Sequence, residues 1–426
     1  LAACETPVIK AIPYLNKPEE AIPGQGVWYA SSFYNGEDFA SILVKTREGR
    51  PIHIKGNKKY GLFKGGINAR INSSVLSLYD SDRLGHPTKG GEEISWDQAD
   101  KDIMAALNAA KTSGKKVRLL SQTLISPSTL LAIGDFLKSV NGEEGDQASH
   151  IMYDAVSYYG MRSANMASFD KEAIPSYHFN KAKTIVSIAA DFLGGWLMST
   201  DYAVQYGEVR NPNSNWMARH YQFETLMSIT GTNADHRTAI KASQEGVVAA
   251  TIYNKLATQL GGSKLGVDTS GIDEGVDAQI DMAVADLINN RGTSLVVGGS
   301  NDKEVQIVIN KINILLGNYG KTIDLDNEIF LHRGNDQEVQ DLVKDMNNGE
   351  VDVLMIYGAN PSYTLANAAE FNAGLEKVGT TISFGLYADE TGTKTQYILP
   401  DNHYLESWND LSPCNGEYAL TQPVIS

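Results

Sequence analysis

The chain offers few side chains that could hold a redox cofactor. Among its 426 residues it has two cysteines, Cys4 and Cys414, and no thiolate lies between them. An iron–sulfur cluster is held by about four thiolates, and covalent attachment of haem takes a CxxCH motif, which the sequence lacks. Within these residues we therefore expect neither an iron–sulfur cluster nor a covalently bound haem.

The histidines show no spacing that is typical of a metal site. No two of the eight stand at i, i+2 or i, i+4, and there is no HExxH motif. Nucleophile motifs are missing as well, because the sequence contains no GxSxG. We expect each histidine to be a surface residue or a hydrogen-bonded one. The eight are His53, His86, His150, His178, His220, His236, His332 and His403.

Two glycine-containing turns could bind phosphate groups. They are residues 297–300 and 358–360, and each follows an apolar run. Such turns can cradle the phosphates of a dinucleotide beside a helix N-terminus. They are equally the ordinary tight turns that any parallel sheet needs at its strand ends. Because the chain is acidic, we expect the second role and no bound dinucleotide.

The elements that would position these residues alternate between strand and helix. Continuous apolar runs separated by helices are typical of parallel sheets covered on both faces. The predicted strands are residues 42–44, 51–54 (after a hairpin turn at 47–50), 117–121, 183–190, 225–230, 294–297, 353–357 and 381–384, the last of which precedes residues 395–400. The predicted helices are residues 128–140, 243–260, 305–316 and one that begins after the N-cap Ser95 and carries Ile103, Met104 and Leu107 on one face.

The composition bounds the domains and partners of this protein. The length predicts two to four domains. The chain has 36 Lys and Arg residues against 51 Asp and Glu residues, a formal charge of −15. Such a surface repels phosphate backbones and no basic run appears, so we expect no nucleic-acid partner, and a patch for anionic lipid is equally unsupported. No apolar run reaches the roughly 18 residues that span a bilayer.

The first residues contain a motif for lipid attachment. Leu1-Ala-Ala-Cys4 matches a bacterial lipobox, in which the cysteine becomes lipid-modified. Each buried acyl CH₂ contributes about 0.8 kcal/mol, so a multiply acylated cysteine anchors a protein firmly. The alternative is an ordinary cysteine near a chain end. We expect Cys4 to be the lipid attachment site, followed by an extended, proline-containing arm.

Ordered motifs from residue 28 onward resemble those of the molybdopterin oxidoreductases. The strand–turn–strand unit of residues 42–54 resembles the family's opening module, which there follows a cysteine motif for a [4Fe–4S] cluster. No cysteine occurs at this point of the chain. Further motifs follow in the family's order: Tyr79-Asp-Ser-Asp-Arg-Leu84, Glu93-Ile-Ser-Trp-Asp-Gln-Ala99, Asn313-Ile-Leu-Leu-Gly-Asn318, Tyr357-Gly-Ala-Asn-Pro361, Asp389-Glu-Thr391 and Tyr397-Ile-Leu-Pro400.

The resemblance implies a fold and a domain organisation. The fold is α/β, with a small N-terminal β-rich module plus two doubly wound parallel-sheet domains of the molybdopterin oxidoreductase (DMSO reductase-like) type, one of them discontinuous. The predicted parts are an extended arm with a lipid anchor (1–27), the β-rich module without its cysteines (28–91), a discontinuous α/β domain (92–165 and 306–426) and an inserted α/β domain (166–305).

One branch of the family is more similar to this chain. Residues 10–20, 29–33, 43–51, 191–196 and 415–423 resemble the B-subunit family of bacterial alternative complex III. That resemblance implies a relative without molybdenum on the periplasmic face of the bacterial inner membrane. The implied partners are membrane quinol-site subunits, multihaem and monohaem cytochrome c subunits, the family's ferredoxin-like C-terminal part with its iron–sulfur clusters, and a terminal oxidase.

In this family the molybdenum ligand comes from a loop that corresponds to residues 153–160. The loop offers Asp154 and Ser157 but no thiolate. Loop carboxylates and hydroxyls usually cap turns, so we expect no metal here and no catalytic or cofactor-binding residue in the chain.

The resulting hypothesis is a non-catalytic scaffold subunit of a membrane-associated, quinol-oxidising electron-transfer complex. Two alternatives stay open at the level of sequence. One is an active molybdopterin oxidoreductase that keeps its pterin cofactor, and the other is a periplasmic α/β binding protein.

Overall fold

The computed structural model describes residue 22, residues 24–142 and residues 145–425. Cys4 and most of the predicted arm lie outside these residues. The strands are β1 Val27–Tyr34, β2 Phe39–Arg47, β3 Arg50–Gly56, β4 Thr88–Lys89, β5 Glu92–Glu93, β6 Lys116–Ser121, β7 Ala148–Met152, β8 Ile174–Tyr177, β9 Thr184–Ile188, β10 Arg219–Glu224, β11 His236–Ala239, β12 Ser294–Gly298, β13 Ile323–Ile329, β14 Val351–Tyr357, β15 Thr380–Gly385, β16 Tyr397–Pro400, β17 Asn409–Leu411 and β18 Ala419–Thr421.

The helices follow the strands in regular alternation over much of the chain. They are α1 Ala69–Ser73, α2 Trp96–Ser113, α3 Pro127–Asn141, α4 Tyr159–Phe169, α5 Ser199–Val209, α6 Ile229–Thr232, α7 Glu245–Leu260, α8 Glu274–Asn289, α9 Lys303–Leu316, α10 Asp336–Asn347, α11 Pro361–Thr364 and α12 Ala368–Leu375. None of the helices in the described ranges combines the length and the apolar character needed to cross a bilayer.

The first three strands form an antiparallel sheet in the order β1-β2-β3. In the turn between β2 and β3, Glu48 and Gly49 have φ values of 52° and 77°. Positive φ at both central residues gives a hairpin turn whose twist matches that of the strands. One face of the sheet buries Ile42 and Ile54 completely. The hairpin predicted over residues 42–54 is therefore confirmed.

The largest sheet has seven strands in the order β5-β4-β16-β15-β14-β6-β7. Strands β16 to β7 run parallel, and β4 and β5 form an antiparallel edge. Helices α2 and α3 pack on one face of this sheet, and α10 and α12 pack on the other. Because both faces are covered, apolar residues of β6 and β14 such as Leu120 and Leu354 are completely buried.

A second parallel sheet has four strands in the order β11-β10-β9-β12. Helices α7, α8 and α9 pack on one face, and an aromatic cluster that includes α5 packs on the other. Two small antiparallel pairs, β8 with β13 and β17 with β18, complete the strands of the described residues. The predicted α/β class with two parallel sheets and a small N-terminal β unit is confirmed, whereas the domain boundaries stay predictions.

Two local predictions from the sequence are wrong. The apolar run 225–230 is not a strand, because the strand β10 ends at Glu224 and the run that follows is a turn and the short helix α6. Leu226 and Met227 in that run are 82% and 69% exposed. Met104 does not share the buried face of α2, since its side chain is 57% exposed. One helical step of about 100° turns it away from Ile103.

Candidate functional site

The main cleft lies at the carboxyl edge of the seven-stranded sheet. The chain runs from β6 to β7 on one side, whereas β14 is followed by β15 and β16 on the other, so the strand order reverses between β14 and β6. Ligands of open α/β sheets bind outside the carboxyl ends of the strands at such a reversal. Two adjoining cavities of about 620 Å³ and about 320 Å³ lie there. Both are lined by Asn35, Gln122, Gly358, Ala359 and Asn360.

Gln122, the first residue after β6, joins the end of β14 to the N-terminal β unit. With its amide nitrogen as donor it bonds the carbonyl oxygens of Asn35 at 3.2 Å and Gly358 at 3.0 Å. Gly358 has a φ of +63°, and a Cβ on it would lie 3.1 Å from the amide carbon of Gln122. Glycine therefore fits this position for both conformation and space.

The polar groups of the 358–360 turn bond mainly to a neighbouring loop. Asn360 Nδ2 donates to Glu390 Oε2 at 2.7 Å, and Asn360 Oδ1 accepts from the Thr391 hydroxyl at 2.7 Å. The Asp389 carboxylate accepts from the backbone N–H groups of Thr391 at 3.1 Å and Gly392 at 2.7 Å. The motifs at residues 357–361 and 389–391 therefore hydrogen-bond to each other at the rim of the cleft.

A carboxylate of the chain itself occupies the helix N-terminus beside the cleft. Helix α3 follows β6, and a helix in this place presents free N–H groups and a partial positive charge, which bind phosphate in dinucleotide folds. Here Asp410 Oδ1 accepts from the hydroxyls of Ser126 at 2.7 Å and Ser128 at 2.6 Å. Both carboxylate oxygens of Asp410 also lie 3.3 Å from the backbone nitrogen of Ser128. Although burial opposes ionisation, these hydrogen bonds hold the pKa of Asp410 below its usual range.

The charge of the cleft does not suit a polyanion. Arg70 is the one Lys or Arg residue among the described residues that line the two cavities. Its Nε donates to Asp38 at 2.7 Å, and Glu37 lies 3.5 Å from another guanidinium nitrogen. Asp389 and Asp401 line the same cleft, and burial raises the pKa of Asp401. An anion entering here would meet more carboxylates than cations.

Asp154 and Ser157, in the loop that corresponds to the family's metal-ligand loop, are both engaged within the chain. The Asp154 carboxylate accepts from the Thr123 hydroxyl at 3.0 Å, the Thr123 N–H at 3.3 Å and the Gly334 N–H at 2.8 Å. Burial raises the pKa of this carboxyl group. Ser157 Oγ donates to Asp336 at 2.8 Å and accepts from the Tyr159 N–H at the start of α4. Both side chains hold loops in place.

The histidines are not brought together by the fold. No cluster of three or more His, Cys, Asp or Glu side chains that could bind a metal occurs among the described residues. Burial lowers the pKa of four of the histidines to about 4, namely His150, His220, His332 and His403. Their neutral rings contribute to packing; His332, for example, packs against Tyr158 with ring centroids 4.6 Å apart.

The second glycine-containing turn, residues 297–300, is a close-packed strand end. Gly299 donates its N–H to the Ile188 carbonyl at 2.8 Å. A Cβ on Gly299 would lie 2.2 Å from the carbonyl oxygen of Ala189. The glycine is explained by this approach of two backbone segments.

Cys414 is a buried free thiol. Its side chain is 1% exposed, and burial raises the pKa of the thiol to about 12. A protonated thiol shielded from solvent is a poor metal ligand and a poor nucleophile.

The residues of the cleft do not fit a pterin dinucleotide with its metal. The ligand loop has no thiolate, the Asp154 carboxylate already accepts from three donors, and Arg70 is already paired. The most informative residues, Asp410 and Gln122, were not predicted from the sequence. Ser126 before Pro127 gives a helix-start signal, but its carboxylate partner lies 284 residues further along the chain.

Comparison with known proteins places this fold. No family model matches the chain. The molybdopterin-binding-like subunit of menaquinone reductase from Nitratidesulfovibrio vulgaris (strain Hildenborough) is 22% identical to it over 445 aligned positions, which cover 90% of this chain and 60% of that protein. The structure of acetylene hydratase from Pelobacter acetylenicus superposes with a TM-score of 0.67 at 13% identity, covering 93% of this chain and 66% of the hydratase. The α/β fold described above is therefore of the molybdopterin oxidoreductase type.

Proposed function

We propose that this chain is a subunit of a membrane-associated, quinone-linked electron-transfer complex, in which its molybdopterin oxidoreductase-type fold is a scaffold and not a catalyst. The similarity to a menaquinone reductase subunit supports membership of such a complex. The contacts of the Asp410 carboxylate support the non-catalytic part of the proposal. This carboxylate fills the N-terminus of α3 with the chain's own negative charge, where a dinucleotide phosphate would otherwise bind.

A scaffold has a physical use in electron transfer. Electron tunnelling falls steeply with distance, so iron–sulfur and haem centres in neighbouring parts of a complex must be held at fixed separations. Two doubly covered sheets, one of them bonded to the N-terminal β unit through Gln122, suit that purpose. No redox group in the chain itself is needed for this role.

The complex we propose is alternative complex III, on the periplasmic face of the bacterial inner membrane. This choice is supported by the resemblance of residues 10–20, 191–196 and 415–423 of this chain to the B-subunit family of that complex. The expected partners are membrane quinol-site subunits, multihaem and monohaem cytochrome c subunits, a ferredoxin-like part with iron–sulfur clusters and a terminal oxidase. We also propose that Cys4 is acylated, which an intact-mass measurement of the N-terminal peptide tests.

A menaquinone reductase complex is the second candidate, because the relative with that name aligns over 90% of the chain. The two candidates differ in the direction of electron flow. Purified native complex that oxidises quinol with cytochrome c as acceptor supports alternative complex III. Complex that only reduces menaquinone supports the second candidate.

Metal and pterin analysis of the purified chain tests the scaffold role. We expect molybdenum and tungsten far below one atom per chain, and no pterin fluorescence after acid oxidation. Stoichiometric molybdenum or tungsten would establish the catalytic alternative. Failure of the chain to co-purify with cytochrome and membrane subunits would favour the periplasmic binding protein instead.

A further inference from the structure

The N-terminal antiparallel sheet has a basic outer face on an otherwise acidic protein. Residues 45–59 contain six Lys or Arg residues and one Glu, within a chain of formal charge −15. In the sequence these residues are interrupted by apolar and polar ones and form no continuous run. Pairing of the strands is what collects them.

The strand register places the basic side chains in adjacent rows. Lys45 on β2 lies opposite Trp28 on β1 and His53 on β3. Arg47, two residues after Lys45 on β2, lies opposite Arg50 on β3. Leu43, two residues before Lys45, lies opposite Lys55. Since residues two apart on a strand share a face, the rows lie on one side of the sheet. We call this surface the basic face; it consists of Trp28, Lys45, Arg47, Arg50, Ile52, His53 and Lys55.

The positive charge of the basic face is not neutralised within the described structure. No Asp or Glu side chain among the described residues lies within 4.0 Å of Lys45, Arg47, Arg50 or Lys55. By contrast, Lys64 and Arg70 nearby in the chain both pair with carboxylates.

Apolar groups are interleaved with these charges. Trp28 is 38% exposed, and the ammonium groups of Lys55 and Lys45 lie 4.0 Å and 5.8 Å from its ring centroid. Ile52 is 50% exposed, because the pairing of β2 with β3 shifts by one residue between Lys45 and Thr46 and turns it outward. An exposed aromatic ring with lysines around it is the composition that lies at a lipid–water interface.

We propose that the basic face binds the headgroups of anionic phospholipids at a membrane surface, with Trp28 and Ile52 entering the interfacial layer. The acidic remainder of the molecule is repelled by the same surface, so the N-terminal sheet is the part that faces the membrane. This goes beyond the function proposed above and can fail while that function stands.

Vesicle sedimentation tests the proposal with the full chain carrying Cys4→Ser, so that no acyl chain contributes. The expected result is binding to vesicles of roughly two parts phosphatidylcholine to one part phosphatidylglycerol, with little binding to pure phosphatidylcholine. Each basic residue near such a surface contributes roughly a factor of five, so the triple substitution Lys45→Gln, Arg47→Gln and Lys55→Gln should weaken binding roughly a hundredfold. Salt near 1 M should abolish binding by screening.

The matched control removes three exposed lysines elsewhere, with Lys101→Gln, Lys264→Gln and Lys303→Gln, and should bind like the parent. Melting temperatures of both variants check that they fold. The proposal is overturned if the anionic vesicles do not bind, if pure phosphatidylcholine binds equally, or if both variants bind alike. Binding to poly-glutamate without binding to vesicles would assign the basic face to an acidic protein and also overturn it.

Discussion

At the scale of single residues, the carboxylates around the cleft are held by donors of the chain itself. Asp154 and Asp410 each accept hydrogen bonds from hydroxyl and backbone N–H groups. Such bonds satisfy the lone pairs that a metal or a ligand donor would need. The cleft keeps the shape of a ligand site, while its charged groups are engaged in structural contacts.

Replacing Asp410 with alanine should lower the free energy of unfolding by about 2 kcal/mol, because α3 loses the acceptor for two hydroxyls and an N–H group at its start. Urea unfolding at neutral pH measures the change. Asp135→Ala, on the exposed side of the same helix (its side chain is 68% exposed), should change stability by less than about 0.5 kcal/mol. Equal losses in the two variants would contradict the role given to Asp410.

Cys414 should resist alkylation in the folded protein. Burial both blocks access and raises the pKa of its thiol to about 12, and only the thiolate reacts. Peptide mapping after iodoacetamide treatment measures the labelled fraction, which should be near zero without urea and complete in urea. Rapid labelling of native protein would show that Cys414 is open to solvent.

At the scale of elements, burial and not hydrophobicity alone decided which segment of residues 219–230 became a strand. The strand β10 has the sequence RHYQFE, and its polar side chains are paired, as when Gln222 Nε2 donates to Glu224 at 3.1 Å. The apolar residues just after it are exposed. Apolar periodicity cannot recognise a strand whose buried polar groups find partners only in the folded sheet.

This assignment makes opposite predictions for two neighbouring segments. Phe223→Ala in β10 should cost about 3–5 kcal/mol of unfolding free energy, because its ring is 1% exposed. The double substitution Leu226→Ser and Met227→Ser should change stability by less than about 0.5 kcal/mol, since both side chains lie in solvent. Urea midpoints of the two variants test this, and a large loss in the double variant would place residues 225–230 in the core.

At the scale of the whole molecule, buried histidines couple folding to pH. In the folded state His150, His220, His332 and His403 have pKa values of about 4, whereas an unfolded histidine titrates near 6.5. Below about pH 6.5 the unfolded chain therefore binds more protons than the folded chain. Stability is full above that pH and falls as the pH drops towards 4.

The expected outcome is a decrease of the urea midpoint between about pH 7.5 and 5.5. The variant His220→Gln should show a shallower decrease, because its unfolding takes up as much as one proton fewer. His86→Gln, at an exposed position, is the control and should follow the parent protein. A pH-independent midpoint would contradict the burial of these rings.

The sequence by itself determined the class of fold and the scarcity of thiolates. Largely apolar runs such as residues 117–121 and 353–357 predict covered parallel strands because strands buried on both faces are mostly apolar. The N-cap Ser95 and the hairpin turn at residues 47–50 act over a few residues, so their structures could also be predicted.

Only the tertiary structure decided which distant side chains meet. Asp410 reaches Ser126 across 284 residues, Gln122 bridges two sheets, and strand register gathers Lys45, Arg47 and Lys55 on one face. Each contact depends on long-range packing, which local propensity and periodicity do not record. The engaged carboxylates of the cleft and the charge of the N-terminal sheet could therefore be recognised only in the folded chain.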